Sequence, residues 1–151
     1  MAWRHPFNKS TITSRFGVTA NRPSPHRGLD YAPKEGTNIP AISKGTVRSV
    51  VWSDVLGWVL VQTVWDAING KTLYAGYCHL KEKPTLAVGA TLRIGQTIGK
   101  VGNTGSASRG AHLHLTIGPT QQSVFAGAVF DPEQIIDQQM SYCPTCKRHD
   151  A

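Results

Sequence analysis

Apolar residues fall in short segments that are separated by glycine, proline and asparagine through the middle of the chain. Residues 47–52 and 57–65 are rich in valine and tryptophan, which are typical of β-strands. The Asn69-Gly70 pair that follows is a strong hairpin signal, and residues 72–80 form a third apolar segment beyond it. The pattern therefore predicts three consecutive antiparallel strands joined by tight turns.

Two glycine-rich segments flank these strands. Residues 36–45 and 89–102 are similar to each other and predict two related hairpins, with chance similarity between glycine-rich turns as the alternative. Further on, Asp131 is a suitable N-cap with proline after it, which predicts the one clear helix over residues 133–139.

These elements predict a mainly β protein with an antiparallel sheet at its core. The chain has 151 residues, enough for one small domain with a buried core. We expect a single catalytic domain over residues 1–140, with hairpins and glycine-rich loops around a cleft and one short C-terminal helix. Residues 141–151 are predicted to be a short, mobile, cysteine-containing tail.

Histidines and one aspartate concentrate at three places along these predicted elements. His112 and His114 are two apart in an apolar segment, so a strand would place both imidazoles on one face. His26 and Asp30 lie among prolines and glycines, which favours a loop that leads into a short strand. His79 lies at the end of the third predicted strand. Imidazole and carboxylate groups suit zinc, but the spacing does not say which three of the five would be ligands.

These motifs resemble the lysostaphin/LytM-type zinc metalloendopeptidases, which cut the peptides of bacterial cell walls. The resemblance extends over residues 12–117. The motifs that carry it are TSRFG (13–17), HRGLDYA (26–32), GTNIPAISKGTV (36–47), YCHL (77–80), GQTIGKVGNTG (95–105) and HLHL (112–115). The chain departs from the family at residues 108–111, where Ser-Arg-Gly-Ala precedes the His-x-His pair.

The resemblance implies a role for each of the five side chains. His26, Asp30 and His114 would hold one zinc ion per chain, and His79 and His112 would be the unligated catalytic pair. The implied activity is zinc-dependent hydrolysis of peptide bonds in peptidoglycan, with lysis of the cell. A catalytically silent wall-binding or regulatory module on the same scaffold is the alternative, and the presence of all five residues favours the enzyme.

Two further side chains are predicted to contact the substrate peptide. Tyr77 would share a strand face with His79, and Asn103 lies in the glycine-rich turn VGNTG. Ordinary structural roles in sheet and turn are the alternative for both. Cys78 alternates with these cleft residues, so we expect it to point into the core.

The net charge of +7, from 16 lysines and arginines against nine acidic residues, favours an anionic partner. The basic residues are scattered and lack interleaved aromatic residues, so a specific nucleic-acid partner is not expected. Bacterial peptidoglycan is the expected partner, with no membrane insertion, since no segment reaches transmembrane length. The C-terminal residues include Cys143, Cys146 and His149. Three interpretations are open for them: half of a zinc site, a small redox loop, or a reduced or loosely paired tail.

The first residues lack the apolar segment of a signal peptide. We therefore expect a bacteriophage product that acts as a monomer: an endolysin held in the host cytoplasm until holin lesions release it to the wall, or a virion-associated lysin. The motifs fit two classes of scissile bond. One is a bond within a glycine bridge, and the other is a stem-peptide bond or a direct cross-link between D-alanine and a diamino acid. We favour the second class.

Overall fold

A computed structural model describes residues 3–143 and 148–149 of the chain. Its strands before the C-terminal helix are β1 (Ile12–Ser14), β2 (Leu29–Tyr31), β3 (Asn38–Pro40), β4 (Gly45–Ser53), β5 (Gly57–Asp66), β6 (Lys71–Leu80), β7 (Thr91–Leu92), β8 (Thr97–Lys100) and β9 (Leu113–Gly118). Seven of them form an antiparallel sheet in the order β1-β2-β9-β6-β5-β4-β7, and β3 and β8 form a separate two-stranded ribbon. The predicted mainly β, antiparallel fold is confirmed.

The three strands predicted from the apolar segments form the centre of the sheet. β4 pairs with β5, and β5 pairs with β6, both antiparallel. The β5–β6 connection contains the predicted Asn69-Gly70 turn, in which Gly70 has a φ of +66°. The Asp66 carboxylate accepts hydrogen bonds from the backbone N–H groups of Ile68 and Asn69, which secures this turn.

The two glycine-rich segments do not form separate hairpins, so that prediction is wrong. They pair with each other: β3 lies antiparallel to β8, and Gly45 at the start of β4 lies opposite Leu92 of β7. The physical reason is that a short strand with few apolar residues gains more from a distant partner in the core than from its own neighbour. Ile39 and Ile98 in this ribbon are both buried.

The C-terminal helix α1 (Pro132–Ser141) confirms the predicted helix and extends it by a residue or two at each end. The Asp131 side chain accepts hydrogen bonds from the backbone N–H groups of Glu133 and Gln134, as an N-cap does. On the outer side of the helix, Asp137 binds His5 at 2.7 Å and Lys9 at 2.7 Å. The N-terminal segment is thereby fastened to α1.

Apolar side chains pack on both faces of the central strands. The larger cluster includes Tyr31, Leu60 and Leu115, and the smaller one surrounds Cys78, which is free and fully buried as predicted. No helix in the described part of the chain is long and apolar enough to cross a membrane.

The chain after α1 begins a short antiparallel pair, β10 (Tyr142–Cys143) with β11 (Arg148–His149). Cys143 is disulfide-bonded, so its sulfur is not a free thiolate for a metal. The remainder of the predicted Cys-x-x-Cys motif, including Cys146, lies outside the described residues.

Candidate metal centre and catalytic cleft

Paired strands bring the three predicted zinc ligands together. Asp30 of β2 lies directly opposite His114 of β9 in the strand register, and His26 lies in the loop that enters β2. Nδ1 of His114 is 2.9 Å from Oδ1 of Asp30, and Nε2 of His26 is 3.2 Å from the same oxygen. The two imidazole nitrogens are 3.1 Å apart. The three atoms therefore form a compact triangle, with all three residues on the same cleft.

The donor set of this triangle fits a zinc ion. Tetrahedral zinc with ligands at about 2.0–2.1 Å separates neighbouring ligand atoms by about 3.3 Å, close to the distances observed. Nδ1 of His26 faces the Arg15 carbonyl oxygen at 3.1 Å and the Ser14 hydroxyl at 3.0 Å. If that nitrogen carries the proton, Nε2 has an unshared electron pair, which points toward Asp30 and His114. Once the protons between these atoms are given up, the two imidazole nitrogens and the carboxylate oxygen would present three electron pairs to one cation.

The electrostatics of the triangle keep Asp30 ionised and His114 neutral. Burial alone would raise the pKa of Asp30, but hydrogen bonds with His114 and His26 hold that pKa well below its ordinary value. Burial lowers the pKa of His114, with Asp30 opposing this effect. An ionised carboxylate and a neutral imidazole are the forms in which these groups bind a metal.

His79 and His112 lie beside the triangle as a second pair. Their ring centroids are 4.7 Å apart, and His79 is 6.0 Å from the ring of His114. Nδ1 of His79 is 2.7 Å from the carbonyl oxygen of Thr104, and Nδ1 of His112 is 2.8 Å from that of Gly110. A backbone carbonyl accepts only, so each Nδ1 donates and each Nε2 is left as an acceptor.

Burial lowers the pKa of His79 to about 4, against a smaller opposing effect of the Thr104 carbonyl. The imidazole is therefore neutral at physiological pH. A neutral imidazole beside a candidate metal site can accept a proton from water.

The structure corrects the prediction for Tyr77, which does not contact the cleft. Its side chain is fully buried, its hydroxyl donates to the side-chain oxygen of Gln62, and it accepts a hydrogen bond from the backbone N–H of Ile42 at 3.0 Å. The alternation that would place residues 77 and 79 on one face ends because His79 has a φ of +62°. This left-handed backbone turns the imidazole away from the tyrosine face.

Asn103 is exposed in the loop that leads to His112, and its predicted contact with the substrate stays a prediction. Its side-chain oxygen accepts hydrogen bonds from the backbone N–H of Gly110, at 2.9 Å, and from the Ser108 hydroxyl. The Ser108 hydroxyl in turn lies 3.3 Å from Nδ1 of His112. Asn103 therefore shapes this loop.

Several residues that shape the site were not identified from the sequence. Ser14 orients His26, and Thr104 orients His79, but each is remote in sequence from the histidine it contacts. Gly28 can be noticed in the sequence, because it lies between His26 and Asp30. In the structure, a Cβ at this position would come within 2.7 Å of the His114 ring. The chain approaches this closely only because residue 28 has no side chain.

The five residues open onto a cleft of about 560 Å³. Its apolar side includes Leu56, Val124 and Phe125, whereas its polar side includes Arg22 and Arg27. Among the described residues that line it, Asp30 is the only acidic one. The full set is Arg22, Pro23, Ser24, Pro25, His26, Arg27, Asp30, Ser53, Val55, Leu56, His79, Ala107, His112, His114, Val124 and Phe125.

Comparison with known proteins gives one family match. Residues 24–126 match the model of peptidase family M23. A Vibrio cholerae protein described as the peptidoglycan DD-endopeptidase ShyC is 30% identical over 117 residues, which are 74% of this chain and 25% of that protein. The chain spans about a quarter of the length of the curated relatives it matches.

Two solved structures show the same architecture. The catalytic domain of a prophage-encoded M23 protein, EnpA from Enterococcus faecalis, solved as a single-substitution mutant, is 30% identical, with a TM-score of 0.68 over 87% of this chain and 95% of that one. A zinc-containing peptidase from Vibrio cholerae is 28% identical, with a TM-score of 0.66 over 78% of this chain and 36% of that one. The region that matches the family, residues 24–126, contains all five site residues.

Proposed function

Because this chain belongs to peptidase family M23, we propose that it is a zinc metalloendopeptidase that hydrolyses peptide bonds of bacterial peptidoglycan and so lyses cells. The observation that carries the proposal is the triangle of His26, Asp30 and His114, with the His79 and His112 pair beside it. The relative described as a peptidoglycan DD-endopeptidase and the similar zinc-containing peptidase support the substrate and the metal.

His26, Asp30 and His114 would hold one zinc ion, which would polarise the scissile carbonyl and lower the pKa of water to about 7. The protein itself would supply the proton transfers. Within the described residues, Nε2 of His79 and Nε2 of His112 have no hydrogen-bond partner, and each ring is oriented by a backbone carbonyl at Nδ1.

His79 is neutral at physiological pH and would accept the proton of the attacking water. The protonated imidazole then donates that proton to the leaving amine. His112, whose Nε2 lies 4.0 Å from Asp30, would hydrogen-bond the developing oxyanion with a proton that Nε2 takes from solvent and returns to solvent when the product leaves. Each histidine thus has one fixed nitrogen and one nitrogen that exchanges a proton.

The second candidate is a catalytically silent module that binds the wall. It is disfavoured because the site has its three converging ligands and both neighbouring histidines. The prophage origin of the similar EnpA protein supports the further proposal that this chain is a bacteriophage lysin, either an endolysin or virion-associated.

The test is digestion of purified sacculi, followed by mass spectrometry of the fragments. We expect new amino groups without new reducing sugar ends, about one zinc per chain, and loss of cleavage on chelation, since catalytic zinc sites of this kind hold a single ion. The control is the His26→Ala, His114→Ala double variant, measured for zinc and for cleavage. A wild-type protein with full zinc that binds sacculi of every cross-link type and cuts none would support the silent module instead.

A further inference from the structure

The cleft has an excess of positive charge close to the candidate metal ligands. In the part of the chain that the structure describes, two arginines line it, and Asp30 is the one acidic residue that does so. In the proposed function, the charge of Asp30 is directed to the metal, together with the lone pairs of His26 and His114. The arginines are then without a matching negative charge from the cleft wall, which favours an anionic substrate.

Arg27 has a structural part in this wall. Its two terminal nitrogens donate to the carbonyl oxygens of Gly127, at 2.8 Å, and Ser123, at 2.7 Å. Both terminal nitrogens are therefore fixed by backbone carbonyls, and the side chain holds the loop that presents Val124 and Phe125. Arg27 contributes charge to the cleft, but its guanidinium is held in place by this loop.

Arg22 is held less firmly, because only one of its terminal nitrogens has a hydrogen bond within the described part of the chain. Its Nη2 donates to the Ser14 hydroxyl at 3.2 Å, which is its one side-chain hydrogen bond within the described part of the chain. The same nitrogen is 3.6 Å from Oδ2 of Asp30, too long for a direct hydrogen bond. A guanidinium carries five N–H donors in a planar fork that matches a carboxylate. The Arg22 side chain is 34% exposed, so the remaining donors are accessible.

Resting on the proposed function, we infer that Arg22 selects peptide cross-links that carry a free carboxylate close to the scissile bond. The cross-link of D-alanine to a diamino acid with a second, free carboxylate has this chemistry, whereas a glycine bridge does not. The guanidinium lies 3.6 Å from a carboxylate of the metal triangle, and an extended peptide advances about 3.3–3.6 Å per residue. A carboxylate bound by Arg22 is therefore within one or two residues of the bond that is cut.

The experiment compares cross-linked peptides that differ only at this group: the free carboxylate, its amide, and lysine in place of the diamino acid. Wild-type enzyme should cleave the carboxylate form with the highest kcat/KM. In Arg22→Gln, kcat/KM on that form should fall about tenfold, as expected for one partly exposed charge-assisted hydrogen bond. The fall on the amide and lysine forms should be smaller, so the preference of the enzyme for the carboxylate form should narrow. Arg22→Lys should recover part of the loss, since it keeps the charge without the fork.

Arg93→Gln is the matched control, because Arg93 is exposed and does not line the cleft, yet its replacement changes the net charge by the same amount. Zinc content is measured in every variant, and calorimetric binding of an uncleavable carboxylate-bearing fragment gives a second readout. Weaker binding by Arg22→Gln, with normal zinc, supports the inference.

An equal fall on all substrates, no fall on any, or a wild-type preference for glycine bridges would overturn the carboxylate selection while the peptidase function stands. A zinc-loaded wild-type protein that cleaves no peptide would overturn the function and the selection together.

Discussion

The carbonyl oxygen of Thr104 lies 2.7 Å from Nδ1 of His79, so one backbone group decides which imidazole nitrogen faces the cleft. The Thr104 side chain holds that carbonyl in place. Its hydroxyl donates to the Leu80 carbonyl at 2.6 Å and accepts from the Trp58 N–H at 3.2 Å. Thr104 is therefore a positioning residue for His79.

Thr104→Val removes both hydroxyl hydrogen bonds while keeping the shape of the side chain. We expect unfolding to be easier by about 1–3 kcal/mol, the usual effect of leaving a buried polar group unpaired. We also expect kcat to fall with unchanged zinc content, because His79 loses its orientation and the ligands do not. Thr104→Ser should restore kcat. A folded Thr104→Val enzyme with wild-type kcat would contradict the positioning role.

Gly28→Ala tests the close approach of the ligand loop to β9. The new Cβ would lie 2.4 Å from the Leu115 carbonyl oxygen and 2.7 Å from Cε1 of His114, so the strands must separate. We expect a lower melting temperature and loss of bound zinc, measured by atomic absorption. Gly110→Ala is the control, because nothing lies within 4 Å of its new Cβ. Wild-type zinc content in Gly28→Ala would show that the triangle tolerates the displacement.

Substitutions of the five site residues should separate ligands from proton carriers. His79→Ala and His112→Ala should keep zinc and lose about 10²- to 10⁴-fold in turnover, the usual contribution of a general acid or base. Asp30→Ala should lose the zinc itself. Zinc loss in His79→Ala or His112→Ala comparable to that in Asp30→Ala would mean that the assigned roles are wrong.

The buried carboxylate of Asp66 predicts a pH-dependent contribution to stability. Burial would raise the pKa of Asp66, but hydrogen bonds from Asn69, Gln139 and Ile68 outweigh this and lower it. A carboxyl whose pKa is lower in the folded state stabilises the fold above its unfolded pKa of about 3.9, and this effect is lost as pH falls through the folded value.

Asp66→Asn should therefore reduce the free energy of unfolding at pH 7, and the difference from wild type should shrink below about pH 4. Urea denaturation of both proteins at pH 7 and pH 3 measures that difference directly. A difference that is the same at both pH values would show that Asp66 acts through shape and not through charge.

The central strands could be predicted because each one carries its own signal, such as the valines of β4 and β5 and the Asn69-Gly70 turn. Pairing of β3 with β8 could not, because it depends on a non-local contact between short segments. Strand alternation predicts one face for Tyr77 and His79, and this is wrong because His79 has a positive φ. That backbone conformation depends on the surrounding loops and not on the histidine itself.

The four histidines and the aspartate of the site could be assigned because they stand in motifs, whereas the residues that orient them do not. Thr104 contacts His79 from 25 positions away, and Ser14 contacts His26 from 12 positions away. Arg22 has no motif at all, and its relation to Asp30 emerges only from the folded cleft.

The pairing of β2 with β9 has a consequence for biosynthesis. Asp30 and His114 are 84 residues apart along the chain, and they meet only when their strands, β2 and β9, pair with each other. The hairpins of β4, β5 and β6 can form while the polypeptide is still leaving the ribosome, because their contacts are local. The triangle closes only after β9 has emerged and docked between β2 and β6. A growing chain therefore pairs its three central strands before it holds a complete candidate metal site.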